Sequence, residues 1–389
     1  MGRINKQNTK GDYSMTKIRI DSHFHSPSGY GSVVRSFTEN LHKDNTLNLS
    51  LKNIEEKNGN KIKWQHDVSQ KIDNSIGKPD HILMWSDVTY RSFYIKEPIN
   101  YATWPDVPNY HYFVWELNKI PEIYTSLLED IRTDKIFTAS DYSKKIIKKS
   151  VNIPVEIVPH GYDPNIFKKL KNIKKRKKFV ALFVGTWTKR KAPLENVLAT
   201  IEALQNTDSE IWLKLHHDEV SIKAIRRSIQ TSVVRQFKDR NVKLPKIFIL
   251  NKYMSQKEMN NMYNKADIVF SVSRGEAFNM PLLESIATQT PIITTNIGGQ
   301  MDFIDNKYKY LVEVDRDIIA SGETGFYKEE FGLRWHDVNY ILQTEKTQDL
   351  YNLWNEDRDE FNSVGQSLYQ DAKGLTWDYA TATYLNYVK

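Results

Sequence analysis

The sequence predicts an α/β protein: two Rossmann-like domains whose parallel sheets face each other across a cleft. Three observations carry this. Apolar strand runs alternate with helical spacings along the chain, the pattern of parallel sheets covered on both faces. The pattern restarts at Phe179, straight after a charged run from Lys168 to Lys178. The length, 389 residues, suits two domains at about 100–200 residues each.

The elements follow in order. The first 16 residues form a polar tail with no apolar core, unlike a secretory leader. Residues 17–21 (KIRID) read as a strand, HSPSGYGS as a turn-rich loop, and 33–41 as a helix with Val33, Val34, Phe37 and Leu41 on one side. Strands are expected at 81–85, 110–115, 135–139 and 156–158. Helices are expected at 123–131 and from the cap Ser140 to 150. After the charged run come strands at 179–184, 211–215, 247–250, 268–272 and 292–295, with helices at 194–204, 256–265 and 281–288. The aromatic stretch 377–388 reads as a last helix. The expected division is a tail (1–16), a first domain (17–167), a basic linker (168–178), a second domain (179–374) and a C-terminal helix (375–389).

Composition narrows the chemistry. The chain has no cysteine, which rules out disulfides, thiolate metal sites and a cysteine nucleophile and fits a reducing, cytoplasmic setting. The net charge of +7 is local: eight of the eleven residues in KKLKNIKKRKK are basic, and without them the balance is −1. Such a run is a solvated linker or a contact for an anionic surface, either lipid headgroups or nucleic acid. No stretch approaches the roughly 18 consecutive apolar residues of a membrane span.

Parallel sheets bind ligands at the carboxyl ends of their strands, so the loops there are the candidate site. One loop reads Ser273-Arg274-Gly275-Glu276-Ala277-Phe278-Asn279-Met280, followed by Pro281-Leu282-Leu283-Glu284. Pro281 suits a first helical turn. Glu276 and Glu284 then stand beside a helix start whose free N–H groups favour anions. Carboxylates accept from hydroxyls and helix-start amides cradle phosphate, a combination suited to a sugar nucleotide. On spacing alone the two acids read equally as solvated surface charges. The loop Gly185-Thr186-Trp187-Thr188-Lys189-Arg190-Lys191 puts three cations at a strand end, where they could hold a diphosphate. Gly29-Tyr30-Gly31 in the first domain could admit a phosphate or be a plain turn.

Together these features resemble the retaining GT-B glycosyltransferases of glycosyltransferase family 4 (group 1). IFTASDYSKKII, VEIVPHGYDPNIF, FVGTWTKRKAPLENVL and the stretch from ILNKYMSQ to TTNIGG carry the likeness, and FVWELNKIP resembles one bacterial branch. The match runs from about Tyr110 to Phe303. It implies transfer of a sugar from a nucleotide sugar to an acceptor hydroxyl with retention (EC 2.4), and it implies the following roles. Glu276 touches the transferred sugar, Glu284 binds the ribose hydroxyls, and Arg190 and Lys191 neutralise the leaving diphosphate. Phe278, Asn279, Met280 and Leu283 line the sugar, Lys252, Tyr253 and Met254 meet the base, and Gly185, Gly29 and Gly31 approach the phosphates. Glu116, with His111 second, positions the sugar from the first domain. The family often has glycine where this chain has Asn279, which bears on sugar identity. With fixed cations at the developing anion, neither metal nor cofactor is required. Asp315-Arg316-Asp317 and Asp357-Arg358-Asp359 spell a metal-binding D-x-D pattern outside the donor loops and read as surface charges. His160 reads as shaping the interdomain turn.

The expected partners are a nucleotide sugar and an acceptor glycan or lipid-linked glycan, with a hydroxymethylated DNA base as an alternative and peripheral contact with an anionic membrane through 168–178. Two other classes compete. Asp21-Ser22-His23-Phe24-His25 ends a strand with the H-x-H of zinc amidohydrolases, which are (β/α)8 barrels. A nucleic-acid-binding protein would use the basic run with Lys144, Lys145, Lys148 and Lys149.

Overall fold

The computed structural model describes residues 15–54, 61–72, 74, 76–86, 104–130, 132–174, 177–321 and 331–388. The first domain holds strands β1 (Thr16–Ser22), β2 (Leu47–Asn53), β3 (His81–Trp85), β4 (Asn109–Tyr112), β5 (Lys135–Thr138) and β6 (Val155–Ile157). Its helices are α1 (Gly29–Leu41), α2 (Glu122–Asp130) and α3 (Asp141–Ser150). Every pairing is parallel, in the order β2-β1-β3-β4-β5-β6. β3 is buried at all five positions, as a strand covered on both faces must be.

The second sheet begins at Val180. The second domain's parallel strands run β12-β11-β10-β7-β8-β9, from β7 (Val180–Val184), β8 (Glu210–Leu215), β9 (Lys246–Asn251), β10 (Ile268–Ser271), β11 (Ile292–Thr295) and β12 (Leu311–Val312). The helices are α4 (Pro193–Leu204), α5 (Glu219–Phe237), α6 (Gln256–Lys265), α7 (Met280–Ala287), α8 (Tyr340–Glu356) and α9 (Arg358–Ala372). An antiparallel hairpin, β13 (Val314–Ile319) with β14 (Arg334–Val338), interrupts this domain. The last helix, α10 (Trp377–Val388), returns to the first domain: Asn40 Nδ2 donates to Thr381 Oγ1 at 2.7 Å, and His81 Nε2 lies 2.6 Å from the Tyr384 hydroxyl.

Both strand orders reverse direction at a switch point, between β1 and β3 in one sheet and between β7 and β10 in the other. Ligand crevices form there, outside the carboxyl ends. The switch points select the loops after β1, β7 and β10.

One core cluster lies within the second domain, and two others cross between the domains. One cluster joins Ile18, Phe37 and Trp85 of the first domain to Tyr263, Leu283 and Ile286 of the second and to Trp377 and Tyr384 of α10. Another places Ala320, Leu333 and Trp335 from the hairpin region among Phe113, Trp115, Leu117 and Ile136 of the first domain.

Several expectations change. Gly29 and Gly31 lie in the first turn of α1 rather than in a loop, because Ser28 caps the helix and its Oγ accepts from Gly31 N at 3.3 Å. A Cβ on Gly31 would stand 2.2 Å from the Ser26 carbonyl oxygen, so packing alone requires glycine there. The strand expected at 110–115 ends at Tyr112, and the chain then leaves the sheet, with Trp115 N bonded to Ser143 Oγ at 3.3 Å. Two six-stranded sheets replace the single barrel an amidohydrolase would need. His23 is buried with Nδ1 3.0 Å from the Ile54 carbonyl, and among the described residues no group of three or more acids and histidines could hold a metal ion. Both D-x-D triplets are exposed, and Asp357 caps α9. The run 168–178 begins fastened to α6: Lys168 N and Leu170 N donate to Asn260 Oδ1 and Asn264 Oδ1 at 3.0 and 2.8 Å. Lys175 and Arg176 of that run, and the tail before Met15, lie outside the described residues. Among the described residues no helix is long and apolar enough to cross a membrane.

Candidate active site

The loop after β7 is a tight turn. Lys191 N and Ala192 N donate to the Thr188 and Lys189 carbonyls, both at 3.1 Å. The turn ends at Ala192 with φ 45° and ψ 46°, a left-handed conformation that costs a residue with a Cβ free energy. Pro193 then opens α4, where its missing donor does no harm. The fully buried Asn196 fixes the turn from below. Its Nδ2 donates to the Ala192 carbonyl at 2.8 Å and the Val272 carbonyl at 2.9 Å, while its Oδ1 accepts from Val272 N at 3.0 Å.

The loop after β10 meets that turn. Glu276 is only 4% exposed. One carboxylate oxygen accepts from Lys191 Nζ at 2.6 Å, and the other lies 3.2 Å from Arg190 Nη1. Burial alone would raise this carboxyl, but the field of Lys191 and then of Arg190 outweighs it and holds the group at about 2. Arg190 also donates to the Gly275 carbonyl at 2.6 Å, and its Nη2 reaches Glu116 Oε1 of the first domain at 3.3 Å. Glycine at 275 is what lets the domains approach: a Cβ there would stand 2.8 Å from the Glu116 carbonyl oxygen. Two further contacts hold the Glu276 peptide. Gly299 N donates to its carbonyl at 2.8 Å, and Ser140 Oγ, the cap of α3, donates across the domains to the Ala277 carbonyl at 2.6 Å.

Asn279 occupies the N-cap of α7 with φ 72° and ψ 62°. Glycine and asparagine tolerate this region best, which explains why both side-chain types suit the position. Its Nδ2 donates to Ser271 Oγ at 3.1 Å. Glu284, half-buried in α7, accepts from the Tyr263 hydroxyl at 2.8 Å, and burial pushes it up to about 7 against that bond's downward pull.

The other expected residues are distributed as follows. Glu116 joins the ion network, whereas His111 does not: it is buried, and its Nε2 donates to the Ser86 carbonyl at 3.0 Å. Gly185 opens the cationic loop, with its N–H donating to the Lys214 carbonyl at 3.2 Å. Tyr253 is exposed and Lys252 and Met254 flank it after β9, facing α1, where Gln256 Nε2 donates to Ser36 Oγ at 3.1 Å. Phe278 and Leu283 are buried in the shared core, and Met280 is half-buried beside it. His160 sits in an aromatic box, 4.8 Å between ring centroids from Phe278 and 5.8 Å from Tyr112. Both its ring nitrogens lack a partner among the described residues, and burial lowers it to about 3.

Asn196, Ser140 as a cross-domain donor, and Gly299 were not marked by sequence reasoning. A buried asparagine in the apolar run PLENVLATI is the one signal that was available.

With this geometry in place, comparison with known proteins is informative. Residues 165–324 match the family described as glycosyl transferases group 1. A probable sucrose-phosphate synthase of Thermosipho melanesiensis is 25% identical over 166 residues, 41% of this chain and 37% of that protein. The matched region thus spans little more than a third of that relative. Among solved structures, a sucrose-phosphate synthase from Thermosynechococcus elongatus superposes with a TM-score of 0.66 at 14% identity, covering 96% of this chain and 98% of that one. A glycosyltransferase from Rickettsia africae gives 0.65 at 14% identity over 97% and 98%. Anabaena HepE, solved in complex with UDP, gives 0.61 at 9% over 96% and 99%. The fold is GT-B, and the kinship with group 1 glycosyltransferases holds over residues 165–324.

Proposed function

We propose that this GT-B chain, whose residues 165–324 carry the group 1 glycosyltransferase pattern, transfers a sugar from a nucleotide-sugar donor to an acceptor hydroxyl with retention. The observation that carries the reading is the network of Arg190, Lys191, Glu276 and Glu116 at the second domain's switch point.

Cleaving a sugar–phosphate bond leaves negative charge on the diphosphate and positive character on the anomeric carbon. Cations fixed where that anion develops lower the barrier, because they need no reorganisation during the reaction. Arg190 and Lys191 are fixed in this way by the turn and by Asn196. On this reading the diphosphate takes the place of Glu116 on Arg190, and no divalent ion is needed. Glu276, ionised at any working pH, accepts from sugar hydroxyls. Glu284 accepts from the ribose hydroxyls at the start of α7, and the loop of Lys252, Tyr253 and Met254 meets the base. The leaving phosphate takes the acceptor's proton as the acceptor attacks from the same face. The acceptor, a glycan or lipid-linked glycan, enters from the first domain beside Glu116.

The support from relatives is of the same kind. HepE binds UDP, and a trehalose-phosphate synthase from Burkholderia xenovorans is described as UDP-forming. Screening nucleotide sugars by thermal shift identifies the donor, since a ligand bound only to the folded state raises the melting point. Proton NMR of the product then reads the anomeric configuration. An inverted product overturns retention, and wild-type transfer by Arg190→Ala or Glu276→Ala overturns that residue's role.

A further inference from the structure

We propose that Arg274 is a positioning residue: its guanidinium holds the cationic turn so that Arg190 and Lys191 meet the donor's diphosphate. This rests on the reading of that turn as the diphosphate site.

The turn is not a conformation that a chain would keep unaided. It packs three consecutive cations, Lys189, Arg190 and Lys191, which repel one another, and it ends in the left-handed Ala192. Strained backbone persists only where its surroundings over-determine it. Asn196 secures the C-terminal side of the turn. Arg274 secures the side that carries the cations, and it does so with both backbone and side chain.

Arg274 N donates to the Arg190 carbonyl at 2.8 Å, and the Arg274 carbonyl accepts from His336 N of β14 at 2.9 Å. One arm of its guanidinium donates to the Lys189 carbonyl. The other donates to Glu195 Oε1 in the first turn of α4 at 2.9 Å. The plane lies over the Trp335 ring, 5.8 Å from its centroid. One side chain therefore ties the residue before Arg190, the helix after Lys191 and the hairpin to the loop that carries Glu276. Lysine could not do this. A point charge can satisfy Glu195 or a carbonyl, but only a planar fork reaches two acceptors in fixed directions. Arg274 makes no contact with the carboxylates of the network, so its effect on the diphosphate must pass through Arg190 and Lys191.

Isothermal titration of the full chain with UDP, GDP and ADP tests this, using wild type, Arg190→Ala, Arg274→Ala, Arg274→Lys and the double variant Arg190→Ala/Arg274→Ala. The melting temperature of each variant is recorded alongside. The expected result is that Arg190→Ala and Arg274→Ala each weaken the preferred diphosphate by about tenfold, on the scale of one charge-assisted hydrogen bond. Arg274→Lys should melt close to wild type yet bind as weakly as Arg274→Ala, which separates positioning from folding. The double variant should lose less affinity than the sum of the two single losses, because the share of the effect that passes through Arg190 is already gone there. Additive losses in the double variant, or full affinity in Arg274→Lys, overturn the role of Arg274 while leaving the site reading intact. If no diphosphate binds wild type, or if Arg190→Ala binds normally, the site reading fails and takes the inference with it.

Discussion

Arg190 of the second domain lies 3.3 Å from Glu116 of the first, so the candidate donor site is closed by an ion pair that spans the cleft. Both partners are largely shielded, with side chains 14% and 20% exposed. In that setting a carboxylate competes directly with a phosphate for the guanidinium. Glu116→Ala is therefore expected to bind the preferred nucleoside diphosphate several-fold more tightly while its transfer rate falls, because the competing carboxylate is gone from Arg190. Calorimetry and initial-rate kinetics on one preparation check the split. Weaker binding together with slower transfer would mean that Glu116 aids the donor rather than competing with it.

Glu276 couples the site to stability. Its carboxyl is held at about 2 against a usual 4.5. A lowered folded-state value means that the stabilisation is present above about 4.5 and is lost as the pH falls toward 2. Glu276→Ala leaves Lys191 buried without its partner, and it should cost roughly 3 kcal/mol or more near neutrality. Urea unfolding at pH 7 and pH 4 measures this. The gap between wild type and variant should narrow at the lower pH.

Glu284 has the opposite sign. Burial raises it to about 7, so its folded-state stabilisation belongs to the protonated form, is complete below about 4.5 and is lost as the pH rises through 7. Ribose hydroxyls need the ionised form as acceptor. Donor affinity should fall as the pH drops below 7, and Glu284→Gln should flatten that profile. A wild-type donor KM that is constant from pH 6 to pH 8 would remove Glu284 from ribose binding.

His160 gives a stability prediction free of chemistry. A buried ring with no partner for either nitrogen among the described residues carries a desolvation cost of about 1–3 kcal/mol, and its neighbours include Trp85, Tyr112, Phe278 and Trp377. His160→Phe should raise the melting temperature and leave transfer near wild type. A loss of transfer with unchanged melting would give the imidazole a functional part.

Much of the frame was legible because it rests on local signals. The buried strands of both sheets announce themselves as apolar runs, and Ser140, Pro193 and Pro281 mark helix starts by their own chemistry. What escaped lacked such signals. β2 (LNLSLKN) has the alternation of a strand but no β-branched or aromatic residue to support it. α5 carries Thr231, Val233 and Val234, β-branched residues that weaken helical propensity. In the site, Arg190, Lys191 and Glu276 stood out as charges at strand ends. That Glu116 reaches Arg190, that Asn196 joins two loops and that Arg274 grips the Lys189 carbonyl depend on carbonyls brought together only by the fold.

The hairpin of β13 and β14 has a thermodynamic consequence. Because Trp335 and Leu333 are buried among Trp115 and Ile136, and α10 seats Tyr384 beside Phe37, each domain completes the other's apolar core. Loss of packing in one domain then strips part of the apolar core from the other. Despite two Rossmann halves, calorimetry should record a single melting transition, and the halves expressed apart should not hold their structure.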